Sequence, residues 1–195
     1  MSDEGAEKEL LRVIEEGVSR SADSLAKISR TSWSTQSVSI DASGADKVRA
    51  RMAGEDAEHY GALLSVPGAV FAMLLPKERA LDLSKAFLGE NALRPGFRLP
   101  KEQDCVAEIA NVVIHTVANS LADACDDAFM LSAPQMIVGR KADLLDIALA
   151  ELRASGENYA IMTYVHMSSE SLSSDCTILL FMTKSFRGRL LKALS

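Results

Sequence analysis

The same order of secondary-structure signals occurs twice along this chain, and this repetition constrains the fold more than any other feature. Hydrophobic periodicity predicts long amphipathic helices over about residues 6–28 and 102–124, and strand-like segments and a closing helix follow each of them. The string ADSLA at residues 22–26 matches ANSLA at residues 118–122, at an offset of 96. Six positions between residues 71 and 86 also fall against similar or identical residues between 178 and 193, at an offset of 107: Phe71, Met73, Lys77, Leu83, Lys85 and Ala86. The chain is therefore predicted to be internally duplicated, with halves 1–95 and 96–195.

The remaining elements complete an α+β fold. Strands are predicted over residues 31–42, 59–66, 69–75, 135–139, 159–167 and 176–182, and shorter helices over 77–88, 141–153 and 186–194. Pro67 and Gly68 form a turn, Gly89 is placed to cap a helix, and residues 43–58 read as a loop that can hold a short helix. A breaker-rich stretch at residues 91–100 separates the halves. We expect one mostly antiparallel sheet from both halves, with two long helices and the shorter helices packed on it.

The second long helix has two different faces. Its apolar stripe is expected to pack on the sheet and consists of Val106, Ile109, Ala110, Val113, Val117, Leu121 and Ala124. The opposite side carries polar residues and then small ones: Asp104, Glu108, Asn111, His115, Ala118 and Ala122. An acid and a carboxamide three positions apart on a helix point the same way, so Glu108 and Asn111 can be offered together to a partner. The small alanines leave room for another backbone to approach.

A polar face opposite an apolar stripe is also what any solvated surface helix has. Such a face usually carries Lys, Glu, Arg and Gln, whereas this one carries an acid, a carboxamide and an imidazole. Helix periodicity alone leaves both interpretations open.

Composition excludes several classes of function. The chain has 195 residues, 48% of them apolar and 25% charged, which fits one ordinary globular domain. A net charge of −6 argues against a nucleic-acid partner, and the acidic N-terminus lacks the apolar core of a secretory signal. The longest apolar runs are too short to span a bilayer. Three widely spaced cysteines and three isolated histidines indicate a cytoplasmic protein without a metal site of its own.

One sparse pattern runs through the second long helix to the predicted strand beyond it. It reads D-x3-E-x2-N-x22-P, from Asp104 through Glu108 and Asn111 to Pro134. This pattern resembles the signature of the CheC/CheX/FliY family of chemotaxis phosphatases, and EIANVVIHTVANSLADA from Glu108 resembles the family's helix. The resemblance covers nearly the whole chain. It implies the family's pseudo-duplicated α+β fold and hydrolysis of the aspartyl phosphate on a CheY-like response regulator.

The resemblance also implies roles for single residues. Asn111 orients the attacking water as the water-positioning Gln of GTPases does, and Glu108 docks the partner by pairing with the regulator's active-site Lys. The regulator supplies its own Mg²⁺, so this chain needs no cofactor. Asp104 fits a favourable charge at the helix N-terminus better than a catalytic role, and Pro134 is expected to shape the start of the following strand.

Partner contacts are expected at Asp104, His115, Ala118 and Ala122. His115 lies one turn beyond Asn111 and is read as a surface histidine in preference to an acid or base, because the family pattern does not require it. The three acidic residues after the helix, Asp123, Asp126 and Asp127, are read as a solvated end in preference to a metal site.

The first long helix lacks a second copy of the site. At an offset of 96, Arg12 and Glu15 stand where Glu108 and Asn111 stand in the second half. A cation cannot repeat the pairing with a Lys, and a carboxylate would repel the phosphoryl group, so one working site is predicted. The subfamily stays open, since single-site CheX-like members work as dimers and two-site CheC-like members as monomers. A CheD-like deamidase is a further candidate partner, through the helix at residues 141–153.

Two other functions compete with the phosphatase. One is a non-enzymatic module that binds a response regulator or a deamidase and acts by occupancy. The other is a structural α+β domain in which the motif is incidental.

Overall fold

The computed structural model describes residues 3–41, 50, 56–89, 101–153 and 160–195. Within them the chain forms five helices and six strands. In chain order these are α1 (Asp3–Ser29), β1 (Ser34–Asp41), β2 (Glu58–Val66), β3 (Ala69–Pro76), α2 (Lys77–Leu88), α3 (Glu102–Ala124), β4 (Gln135–Arg140), α4 (Lys141–Arg153), β5 (Ala160–Ser169), β6 (Ser174–Thr183) and α5 (Lys184–Ala193).

All six strands form one antiparallel sheet in the order β1-β5-β6-β3-β2-β4. The last strand of each half, β3 and β6, pair at the centre of the sheet. β1 of the first half pairs with β5 of the second, and β4 of the second half pairs with β2 of the first. The halves thus exchange their first strands, and the pseudo-duplicated α+β fold expected from the sequence is confirmed.

Each face of the sheet carries its own apolar core, because side chains alternate along a strand. Phe71 and Met73 of β3 belong to the larger core, which α1 and α3 cover, whereas Val70 and Ala72 belong to the smaller core under α4. By length and composition α3 is apolar enough to cross a membrane, but 61% of its most apolar window is buried inside the protein. Its apolar character is explained by packing against the sheet and α1.

A close antiparallel contact holds α1 against α3. A Cβ added to Gly17 would lie 3.2 Å from the Val117 Cα and 3.1 Å from the Ser120 Cβ, so a larger residue would require the two helices to shift by a few tenths of an ångström. The Ser21 hydroxyl has two carbonyl acceptors, Gly17 of its own helix at 2.9 Å and Val113 of α3 at 3.0 Å. At the offset of 96, Gly17 corresponds to Val113 and Ser21 to Val117. The contact between Gly17 and Val117 therefore corresponds to the contact between Val113 and Ser21. The internal pseudo-symmetry maps each of these contacts onto the other.

Most predicted bounds are confirmed. Helices α2, α3 and α4 begin and end where the periodicity places them, and the other elements agree within three residues at each end. Gly89 caps α2 at a φ of 56°, and its N–H donates to the Lys85 carbonyl. Ala124 is exposed instead of buried, because α3 ends there and the chain turns at Cys125. Residues 91–100 and most of the loop predicted at 43–58 lie outside the described residues.

Replacing Gly17 by Ala tests the helix contact. Overpacking costs about 1–3 kcal/mol, which exceeds the gain of about 1 kcal/mol that Ala brings to a helix interior. We expect Gly17→Ala to lower the free energy of unfolding by about 1 kcal/mol in denaturant titration. The control is Gly188→Ala in α5, where an added Cβ meets nothing within 4 Å. That change should leave stability unchanged or raise it, and equal effects of the two changes would contradict the close-contact interpretation.

Candidate functional site

The polar side chains singled out in the sequence lie along the outer side of α3. We call Asp104, Glu108, Asn111 and His115 the motif strip. Asp104 and Glu108 are exposed, and Asn111 and His115 are half-buried. On the other sides of α3, Val113 and Val117 contact α1 and Ile109 lies in the main core. The sequence thus brings an acid and a carboxamide to the accessible side of a helix that is otherwise fixed by packing.

The two alanines expected to contact a partner are buried. Ala118 is 0% exposed and belongs to the main core, and Ala122 is 6% exposed. The chain turns back at the end of α3, where the Asp127 N–H donates to the Ala122 carbonyl at 3.0 Å. Ala122 is therefore part of the turn that ends α3. This corrects the prediction for both alanines, which offer a partner almost no surface.

Val112 is a residue that the sequence analysis missed. It lies next to Asn111 and three positions before His115, and its side chain is 37% exposed. A recognisable signal was present, since Val112 falls outside the apolar stripe of α3 on a helical wheel. A search for apolar β-branched residues outside the apolar stripe would have identified Val112.

The N-terminal end of α3 lies beside a small acidic cavity. The Tyr60 hydroxyl donates to Glu102 Oε2 at 3.4 Å, and Lys77 Nζ forms an ion pair with Glu58 Oε2 at 2.8 Å. Burial, followed by the Glu102 carboxylate, raises the pKa of the Tyr60 phenol. The cavity measures about 440 Å³ and is lined by Ala57, Glu58, Lys77, Glu78 and Glu102. No residue of the motif strip lines it.

Two further cavities also lie away from the motif strip. One of about 410 Å³ includes Trp33 and Ser168 in its lining, and one of about 300 Å³ includes Gly68 and Glu151. The motif strip itself is the outward side of a helix. Small molecules favour concave sites, so this geometry suits a macromolecular partner that brings its own pocket.

Metal ligands are not gathered in the described part of the chain: no group of three or more His, Cys, Asp and Glu there could hold an ion. Asp123, Asp126 and Asp127 are all exposed around the end of α3. Their carboxylates therefore remain in contact with solvent.

Pro134 is half-buried and directly precedes β4. The chain already runs along β2 before this point, because the Ser132 N–H donates to the Ser65 carbonyl at 2.9 Å and the Ser65 N–H donates to Ser132 Oγ at 3.0 Å. β4 is an edge strand, and a proline without an N–H is tolerated at the start of such a strand.

The corresponding positions on α1 are also on the surface, but they carry different chemistry. Arg12 and Glu15 are both exposed. Arg12 forms ion pairs within α1, at 2.6 Å to Glu9 and 3.4 Å to Glu16. The guanidinium therefore already has two acids of its own helix as partners. No acid–carboxamide pair stands at this position of α1.

Replacing Tyr60 by Phe tests the environment at the start of α3. The folded protein holds the Tyr60 proton more tightly than the unfolded chain, so the phenol's contribution to stability is complete below pH about 10 and is lost as the pH rises through the raised pKa. We expect the difference in tyrosinate absorbance between wild type and Tyr60→Phe to show a transition centred above pH about 10. A transition at or below that value would contradict the buried, acid-flanked environment.

Comparison with known proteins places the fold. No family model matches the sequence, and no curated protein is significantly similar to it. Among solved structures, Thermotoga maritima FliY is 12% identical with a TM-score of 0.64, over 97% of this chain and 95% of that chain. The middle domain of Helicobacter pylori FliM is 10% identical with a TM-score of 0.63, over 99% of both chains. CheX from Vibrio vulnificus is 16% identical with a TM-score of 0.54, over 87% of this chain and 99% of that chain.

At these identities the similarity concerns the fold. The chain has the CheC/CheX/FliY type of fold, which confirms the architecture that the resemblance in the sequence implied. The same fold occurs in the H. pylori FliM structures, which include complexes of FliM with SpeE and with FliG. The fold is therefore found both in the chemotaxis protein CheX and in FliM, which has been observed in complexes.

Proposed function

We propose that this chain is a cytoplasmic chemotaxis phosphatase that hydrolyses the aspartyl phosphate of a CheY-like receiver domain. The observation that carries the proposal is the placement of Glu108 and Asn111 together on the accessible side of α3. The fold shared with CheX supports the chemotaxis setting. The sparse D-x3-E-x2-N-x22-P pattern supports the choice of residues.

Asn111 is the group proposed to act on water. Its carboxamide oxygen accepts a hydrogen bond from the water, while its NH₂ faces the phosphoryl group, so that the water attacks in line with the departing acyl oxygen. This role needs neither a shifted pKa nor a covalent intermediate on the enzyme. Positioning alone can supply several orders of magnitude in rate when the group is held rigidly.

Glu108 is the group proposed to hold the receiver. Its carboxylate pairs with the Lys beside the receiver's acyl phosphate and so fixes the position of Asn111 one turn away. The receiver brings the Mg²⁺ that balances the charge of the phosphoryl group. Asp104, on the same side of α3, adds to the negative potential toward that Lys.

The rigidity of α3 supports the roles proposed for Asn111 and Glu108. The helix is 23 residues long and packs on the sheet and on α1, with Val106, Ile109 and Ala110 at 0% exposure. A side chain on such a helix moves less than one on a loop, so less entropy is lost when the water is aligned.

Replacing Asn111 by Ala tests the role in catalysis. We expect single-turnover dephosphorylation of the receiver to slow by about a hundredfold or more, the scale seen when a reacting group is misplaced. The control is Asn119→Ala, which removes an exposed carboxamide two turns further along α3 and should leave the rate unchanged. Unchanged decay with Asn111→Ala would end the proposed mechanism.

Replacing Glu108 by Gln tests docking. Loss of the charge should raise the KM for the phosphorylated receiver by about tenfold or more, with a smaller change in kcat, because the pair with Lys contributes to binding. The exposed Asp104 is the matched control, and Asp104→Asn should change the KM by less than about threefold, since peripheral charges contribute little. Equal effects of both changes would indicate general electrostatic attraction instead of a specific pair.

A second candidate is a module that binds its partner without catalysis. The observation that favours it is the fold shared with the middle domain of FliM, a protein found in complex with FliG. A receiver or a CheD-like deamidase is the proposed partner in that case. Phosphate release from a phosphorylated receiver with Mg²⁺ separates the two candidates, because a binding module leaves the decay unaccelerated. A purely structural domain would show neither binding nor acceleration.

A further inference from the structure

We propose that Val112 forms the apolar centre of the surface that docks the receiver domain. This inference rests on the proposed function, since it names the contact that holds the substrate at the same site. Val112 is 37% exposed and lies beside Asn111, one turn after Glu108 on α3.

Neither helix propensity nor packing in an apolar core explains why residue 112 is a valine. Exposed helix positions favour unbranched residues, because a β-branched side chain loses rotamer freedom against the preceding turn. Val112 also stands outside both apolar cores, whereas its neighbours Val113 and Ile114 are fully buried. The exposed 37% of Val112 is therefore available to contact another molecule.

Two hydroxyls on the following turns of α3 already have hydrogen-bond acceptors. Thr116 Oγ1 donates to the Val112 carbonyl at 2.8 Å, and Ser120 Oγ donates to the Thr116 carbonyl at 3.1 Å. Both hydroxyls are satisfied by the backbone of their own helix. Burying this part of the surface therefore leaves neither donor without an acceptor.

The charges around Val112 define the partner's chemistry. Glu108 lies one turn before it, Asp104 lies one turn before Glu108, and Asp123 lies three turns after it; all three are exposed acids. A complementary surface has an apolar patch with a basic rim. The Lys that is proposed to pair with Glu108 supplies the basic part of such a surface on the receiver.

An apolar centre also strengthens the polar contacts beside it. In protein interfaces the residues that contribute most are those shielded from water by a surrounding ring. Burial of Val112 against the receiver would exclude water from the neighbouring Glu108 pair, and a lower local dielectric strengthens that attraction. Val112 would therefore contribute to the affinity for the receiver.

A matched pair of lysine substitutions tests the inference. Ile147 on α4 is 38% exposed, nearly the same as Val112, and lies on the opposite side of the sheet. Binding is measured to a receiver whose phosphoryl group is replaced by beryllofluoride, so that no turnover is required. We expect Val112→Lys to weaken the Kd by about tenfold or more and to leave kcat at saturating receiver within about threefold. Ile147→Lys should leave both quantities unchanged.

The outcomes separate this inference from the proposed function. If Val112→Lys binds within twofold of wild type, or if Ile147→Lys weakens binding equally, the docking role is overturned. If wild type binds in a Val112-dependent way but does not accelerate decay, the docking role stands and the phosphatase proposal fails. Val112→Ala keeps the helix and removes only apolar surface, so a threefold or larger loss of affinity in that variant supports the inference even if the lysine variant does not fold.

Discussion

The contact between α1 and α3 is the constraint on which the rest of this structure depends. Gly17 allows the two backbones to approach, and the Ser21 hydroxyl bonds to the Val113 carbonyl across the interface. Because the contact nearly repeats itself under the internal pseudo-symmetry, it fixes the relation of the two halves as well as that of the two helices. This packing therefore fixes the position of every side chain on the outer side of α3.

Burial on its other sides leaves α3 a narrow accessible strip. An acid, a carboxamide and an exposed valine share that strip within little more than one helical turn. The cavities elsewhere do not include them. The chemistry proposed for this helix face requires a partner that supplies the pocket, the phosphoryl group and the metal. A helix face suits this task because its side chains are placed by the fold in advance of binding.

Much of the architecture could be predicted from the sequence, because helix periodicity and strand alternation are local signals. The bounds of α2, α3 and α4 follow directly from these signals. The burial of Ala118 could not be predicted in this way. A helical wheel gives the direction in which a residue points but not which other segment covers it, and Ala118 lies in the main core. Val112 was missed because the search for functional residues on the outer face of α3 considered only polar and small residues. Val112 is a larger apolar residue on that face. Glu108 and Asn111 were identified from the motif. Their proposed roles depend on resemblance to a family signature and not on helix periodicity.

The exchange of first strands between the halves has a consequence for biosynthesis. During translation the N-terminal half leaves the ribosome with β1 unpaired, because its neighbour β5 is still more than a hundred residues away along the chain. One edge of β2 likewise stays unpaired until β4 has been synthesised. Strand pairing between such distant segments is slow and exposes sheet edges meanwhile. The sheet can therefore close only after β4, β5 and β6 of the second half have emerged.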